Sequence, residues 1–185
     1  MHNRETMIFL FLLLLIDLAA AGNPVIEVPQ EHYYVTWESL LELLRTSQDI
    51  WLKKRSGPAS GNADCFRWKK TYLNNSDYYF QKWYRHGSAT RGLHERAKLI
   101  NTSTNPEMII LNNRNIDNRK GKRYILHYWD KNEHCALFRL PVAGREDPKW
   151  EQYVWRDRVQ DSPICDNAFA KVEFSSYWVF KTECL

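Results

Sequence analysis

Apolar residues recur along this chain with two different periods. Trp37, Leu40, Leu41 and Leu44 fall at i, i+3, i+4 and i+7, which predicts an amphipathic helix over Trp37–Arg45 with Thr36 as its N-cap. Ser39 stands where a capping box would carry Glu. A Gly/Pro/Ser-rich loop over 56–62 ends this pattern. From Asp64 onward the period drops to two. Phe66, Trp68 and Tyr72 are expected on one side of a strand over 65–73, with Arg67, Lys69 and Thr71 on the other. Further short runs follow at 78–84, 93–100, 108–111, 123–129, 135–140 and 150–155, separated by turn residues such as Asn74-Asn75-Ser76-Asp77 and Gly87-Ser88. Many short strands at regular spacing predict a β-sandwich or an up-and-down barrel. A short helix is expected over 163–174 and a last extended segment over 177–184. No internal repeat or second domain is visible.

The N-terminus changes the picture. Arg4 lies in a short polar start, an apolar run follows from Met7 to Ile16, and Ala19-Ala20-Ala21-Gly22 then offers small residues. That order reads as a secretory signal peptide over residues 1–21, leaving a single domain over 22–185. A membrane anchor would need about twenty apolar residues, and Asp17 interrupts this run. Without Arg4, Glu5 and Asp17 the remaining domain is only mildly basic, which gives no case for a nucleic-acid partner. All four cysteines, Cys65, Cys135, Cys165 and Cys184, lie in that domain. An even count in an oxidising compartment predicts two disulfides, with three connectivities open. Asn74-Asn75-Ser76 and Asn101-Thr102-Ser103 are glycosylation sequons, so Asn74 and Asn101 are expected at accessible strand ends.

Catalytic signatures are missing. His94-Glu95 opens like a zinc-protease helix, but Lys98 occupies the second histidine position. No G-x-S-x-G or phosphate-cradling glycine loop occurs, and His86, His127 and His134 have no metal-ligand spacing. The expectation is a binding protein with no catalytic residue, cofactor or metal. All eight tryptophans and most tyrosines lie beyond the signal-like segment, and the strand-like runs are rich in aromatics. A closed barrel of about eight strands either fills its interior with such side chains or holds one small ligand.

The cysteine spacing carries a family likeness. Cys135-Ala136-Leu137 is followed after a polar loop by Glu151-Gln152-Tyr153 and then Cys165, while Cys184 sits one residue from the C-terminus. This resembles the signature of the tick salivary lipocalins, the histamine-binding-protein family. The helix opened by Trp37 and the position of Cys65 extend the likeness over the chain beyond the signal segment. The resemblance implies an eight-stranded antiparallel barrel with an N-terminal helix and a short C-terminal helix. It also implies the disulfides Cys65–Cys184 and Cys135–Cys165, and a secreted, monomeric salivary protein that sequesters a small host mediator. In that family the mediators are biogenic amines such as histamine or serotonin, or fatty-acid-derived compounds. Some members act on host proteins of complement or clotting.

Three residues are the ligand-binding candidates that the resemblance supplies. Glu151 matches the glutamate of the Glu-Leu-aromatic motif, Glu95 aligns with a second amine-contacting acid, and Tyr124 falls where the family places a pocket aromatic. The alternative for each carboxylate is an outward-facing strand glutamate. The chain departs from the pattern at Ala136, Leu126, Gln152 and the Gly57-Pro58 loop, so one amine site can be built but not two. Fewer acids make an apolar pocket with one polar anchor the competing reading, as a fatty-acid-derived ligand requires. Arg67, Lys82, Arg96 and Arg139 are then the candidates for its carboxylate. A third reading uses the outer surface. Arg114, Arg119, Lys120, Lys122 and Arg123 crowd one turn that would suit a polyanion or an acidic host protein, or simply face solvent.

Overall fold

Thr36 starts the first helix as the sequence predicts. Its hydroxyl accepts from the Ser39 backbone N–H, and the Ser39 side chain answers the Thr36 backbone, so Ser completes a capping box without Glu. The helix, α1 (Trp37–Arg45), buries Leu43 as well as Leu40, Leu41 and Leu44. Its apolar face is wider than the spacing alone required because it plugs the end of a barrel. The computed structural model describes residues 26–58, 63–111, 121–142, 144 and 147–185. The signal-like segment, and Arg114, Arg119 and Lys120 of the basic turn, lie outside the described residues.

Eight antiparallel strands form that barrel. They are β1 (Ile50–Ser56), β2 (Ala63–Leu73), β3 (Asp77–His86), β4 (Ala89–Ile100), β5 (Glu107–Leu111), β6 (Lys122–Asp130), β7 (Cys135–Leu140) and β8 (Lys149–Trp155). Each pairs with the next, and β1 lies between β8 and β2 to close the ring. The barrel, rather than the sandwich, is therefore the architecture. A second helix, α2 (Pro163–Val172), lies against the outside, and a short strand, β9 (Ser176–Trp178), follows it.

Strand β1 has no counterpart in the sequence reading, because Lys53-Lys54-Arg55 hides its alternation. A bulge between Leu52 and Lys54 explains it. Leu52 and Arg55 both sit opposite inward residues of β8, while Lys54 lies opposite outward-facing Gln152. A second bulge corrects the expected sides of β2. The register shifts between Lys70 and Tyr72, so Thr71 is the extra residue. Tyr72 turns out to solvent at 56% exposure while Leu73 packs against the core.

The barrel is stitched unevenly at β1. Ile50 and Trp51 pair with β2, but Lys54, Arg55 and Ser56 pair with β9. The C-terminal segment fills the gap between β1 and β2: Val179 N–H donates to the Lys53 carbonyl, and Cys65 N–H donates to the Val179 carbonyl. The Cys65–Cys184 disulfide staples this junction, with Cα atoms 5.3 Å apart. Asp64 reinforces it by binding both Arg85 and Lys181, and the Arg85 fork lowers its carboxyl to about 2. The second disulfide, Cys135–Cys165, ties α2 to β7. Both pairings are those the resemblance implied.

Two cores result. Inside the barrel, Trp68, Tyr78, Phe80, Tyr124, Phe138 and Tyr153 pack with the α1 leucines. Outside, Trp51, Leu137, Val154 and Phe169 pack beneath α2. Period-two alternation on β1, β7 and β8 supplies one face to each core.

Candidate ligand-binding site

Above the aromatic layer, away from α1, the inward positions become charged. Register places Arg55 opposite Glu151, Glu95 opposite Phe80, Lys82 opposite Trp68, and Lys122 opposite Ile110. Opposed residues of an antiparallel pair share a face, so all five line the interior. Glu151, Glu95 and Tyr124 thus face the barrel lumen together, as do Lys82, Arg55 and Lys122.

Glu151 is the most enclosed of these charges, at 4% exposure. Both its oxygens are engaged. Lys122 Nζ lies 2.9 Å from Oε1, and the Tyr153 hydroxyl donates to Oε2 at 2.7 Å. Lys122 Nζ also lies 4.8 Å from the centre of the Tyr124 ring. Tyr153 stacks on Trp68 at 4.0 Å between centroids, and Phe138 meets Tyr124 edge-on at 5.7 Å. The carboxylate therefore sits at the wall of an aromatic cup. Burial and the neighbouring Glu151 charge hold the Tyr124 and Tyr153 phenols well above their ordinary value, so both remain hydroxyls.

Lys82 and Glu95 are less settled. Burial lowers the Lys82 ammonium and raises the Glu95 carboxyl, and each charge partly offsets the other. Among the described residues neither forms a hydrogen bond or close ion pair; Lys82 Nζ lies 5.9 Å from the Phe66 ring. Arg55 Nε is buried without a hydrogen-bond partner.

The other cations considered from the sequence lie elsewhere. Arg67 pairs with Asp49 on the outer face and covers Trp51. Arg96 binds Asp77, and Arg139 is exposed on β7 between inward residues. In the basic turn Arg123 pairs with Glu107, whereas Lys122 turns inward. Sequence reasoning missed the inward roles of Arg55, Lys122 and Tyr153. The last was legible, since Tyr153 stands two residues from Glu151 on the same strand face. Arg55 was hidden by the β1 bulge, and Lys122 by the charge run around it.

His134 pairs with Asp157 and stacks on Trp155, and His127 packs against Trp150. Among the described residues no group of three or more His, Cys, Asp or Glu side chains could hold a metal ion. No helix there is long and apolar enough to cross a membrane. Asn101 is exposed; Asn74 is half-buried, its Oδ1 accepting from Ser76 and Asp77.

No protein-family profile and no curated protein matches this chain. Solved structures do. Japanin from Rhipicephalus appendiculatus, bound to cholesterol, is 13% identical over 76% of this chain and 97% of its own, with a TM-score of 0.57. The AM182 serotonin complex is 14% identical over 79% of this chain and 92% of its own, with a TM-score of 0.59. Apocrustacyanin C1 is 8% identical over 84% of this chain and 88% of its own, at 0.52. The shared architecture is the lipocalin fold.

Proposed function

We propose that this lipocalin-fold chain is a secreted binding protein that takes up one biogenic amine, such as histamine or serotonin, inside its barrel and so sequesters a host mediator. One observation carries the reading: Glu151, at 4% exposure, lines an aromatic cup. A buried ammonium is tolerable only beside a carboxylate, and aromatic faces add cation–π attraction. Glu151 supplies the carboxylate, Tyr124 the nearest ring face, and Glu95 a second acid on the same lumen wall. The serotonin bound to AM182, a protein of the same fold, supports the assignment. Tick salivary origin, as in the histamine-binding proteins, and glycans on Asn74 and Asn101 complete the proposal.

Calorimetry with histamine and serotonin tests it. Glu151→Gln keeps the shape of the side chain but removes its charge. Losing one partner of a buried pair costs about 3–5 kcal/mol, a factor of a few hundred to a few thousand in affinity. Amine binding should nearly vanish while the circular-dichroism spectrum is unchanged. Unchanged amine affinity in that variant would remove Glu151 from the site.

A second reading rests on a different observation. Lys82 and Arg55 offer inward donors with unmet hydrogen-bonding capacity, which suits the carboxylate of a fatty-acid-derived mediator such as a leukotriene. Under that reading Lys82→Met weakens binding of the lipid and Glu151→Gln does not.

A further inference from the structure

We propose that Lys122 is a built-in competitor for the amine site, its ammonium standing where the ligand's ammonium binds. The inference rests on the amine reading of Glu151 and adds a residue that determines which ligands enter. Lys122 Nζ already makes the two contacts expected of a bound primary amine. It lies 2.9 Å from Glu151 Oε1 and 4.8 Å from the Tyr124 ring centre. The cup is therefore filled by an ammonium from the chain itself.

The two partners are held very differently. The side chain of Glu151 is 5% exposed, whereas that of Lys122 is 53% exposed. Tyr153 fixes the carboxylate from its other oxygen. Lys122 is the first residue of β6 and reaches inward on a flexible four-carbon stem. It can swing back to water without moving the backbone, because Tyr124, two residues on, keeps the strand seated in the core. An ion pair with so exposed a partner adds modestly to stability, which leaves occupancy of the cup as its main consequence.

Exchange then selects by charge. An incoming ammonium replaces the Lys122 ammonium one for one and leaves Glu151 paired. A neutral ligand of the same outline would expel the lysine and strand the carboxylate opposite an uncharged group. Lys122 thus rejects neutral analogues and lowers amine affinity by the fraction of time it occupies the cup.

The test compares the wild-type chain with Lys122→Met and Lys122→Gln by calorimetry, using serotonin, histamine and the neutral indole alcohol tryptophol. Removing the competitor should tighten serotonin and histamine about tenfold or more, as expected if the lysine is home at least nine-tenths of the time. Glu151→Gln should abolish amine binding in either background. Serotonin, but not tryptophol, should also raise the acylation rate of Lys122 in the wild-type chain, read by peptide mass spectrometry. Unchanged or weaker amine binding in both Lys122 variants, with Glu151→Gln still abolishing it, overturns the competitor and leaves the amine site standing. Absence of amine binding in the wild type and in both Lys122 variants overturns both proposals. Binding that appears only in the variants supports both.

Discussion

Glu151 and Gln152 are neighbours on β8, yet they belong to two buried polar clusters of opposite character. Glu151 points into the barrel, where its cationic partner is half in water. Gln152 points outward beneath α2 and is fully buried. There its Nε2 donates to Asp166 Oδ1 at 2.8 Å, while Lys53 Nζ reaches Ser162 at 2.7 Å and Asp166 at 3.1 Å. Lys54 joins the same carboxylate. Glu133 closes the cluster by accepting the Ile164 and Cys165 backbone N–H groups at the start of α2. The outer cluster is densely paired: two lysines share the Asp166 carboxylate and Glu133 caps the helix, although Gln152 Oε1 has no hydrogen-bond partner. The inner one has a lysine that can leave and an arginine Nε with no hydrogen-bond partner. Charges buried on one face of these strands fasten a helix; those on the other remain available to a ligand.

Cutting the covalent tie should separate the two clusters most sharply. A disulfide closing a 30-residue separation is worth about 4 kcal/mol in the chain-entropy account. Cys135→Ala with Cys165→Ala should therefore lower unfolding stability by about that amount in urea titrations and leave amine affinity in the folded protein unchanged. Asp166→Ala comes next. It leaves Lys53, at 1% exposure, without its carboxylate, at a cost of about 3 kcal/mol, and again amine affinity should hold.

The pH dependence should distinguish the clusters in opposite directions. Burial pulls the Asp166 carboxyl up, but Gln152, Lys53 and Lys54 outweigh it and hold it below its usual range. Its stabilising contribution is complete at neutral pH and is lost as pH falls below about 4 through its lowered folded value. Glu95 behaves in reverse, because burial raises its carboxyl. Between about 4 and that raised value the folded chain keeps a proton the unfolded chain has released, so stability falls as pH rises through that window. Asp166→Asn should flatten the acid limb of a stability–pH curve. Glu95→Gln should instead remove the loss just above it. The smallest effect is expected at Lys122, where Lys122→Met should lower stability by about 1–2 kcal/mol, the same factor of about ten or more that its occupancy takes from amine affinity. A larger loss in thermal unfolding would make that lysine a structural tie like Lys53.

Periodicity, capping and turn chemistry determined much of this protein on their own. Trp37–Arg45 is read from local spacing and a Thr cap, both settled within one helical turn. Seven of the barrel strands, and Glu151 with Tyr153 on one face of β8, follow from alternation and turns. The bulges at Lys53 and Thr71 were not legible. An extra residue is a property of two paired strands, and no single segment shows where its partner's register slips. One such slip turned Tyr72 out to solvent. The other makes both Leu52 and Arg55 inward residues despite their odd separation.

The sequence by itself determined which residue types could build a binding site: buried-type aromatics, a few acids, and cysteines in even number. Only the tertiary structure decided which charges share an interior. Lys122 lies in a run of cations that reads as solvated, and Lys53-Lys54-Arg55 shows no strand alternation. Closure of the ring brings β6 and β1 to β8, so that Lys122 and Arg55 face Glu151 while Lys53 and Lys54 meet Asp166 outside. Pairing partners lie 29 residues apart in one case and more than a hundred in the other. Charge pairing over such distances is fixed by barrel closure, which no local pattern encodes.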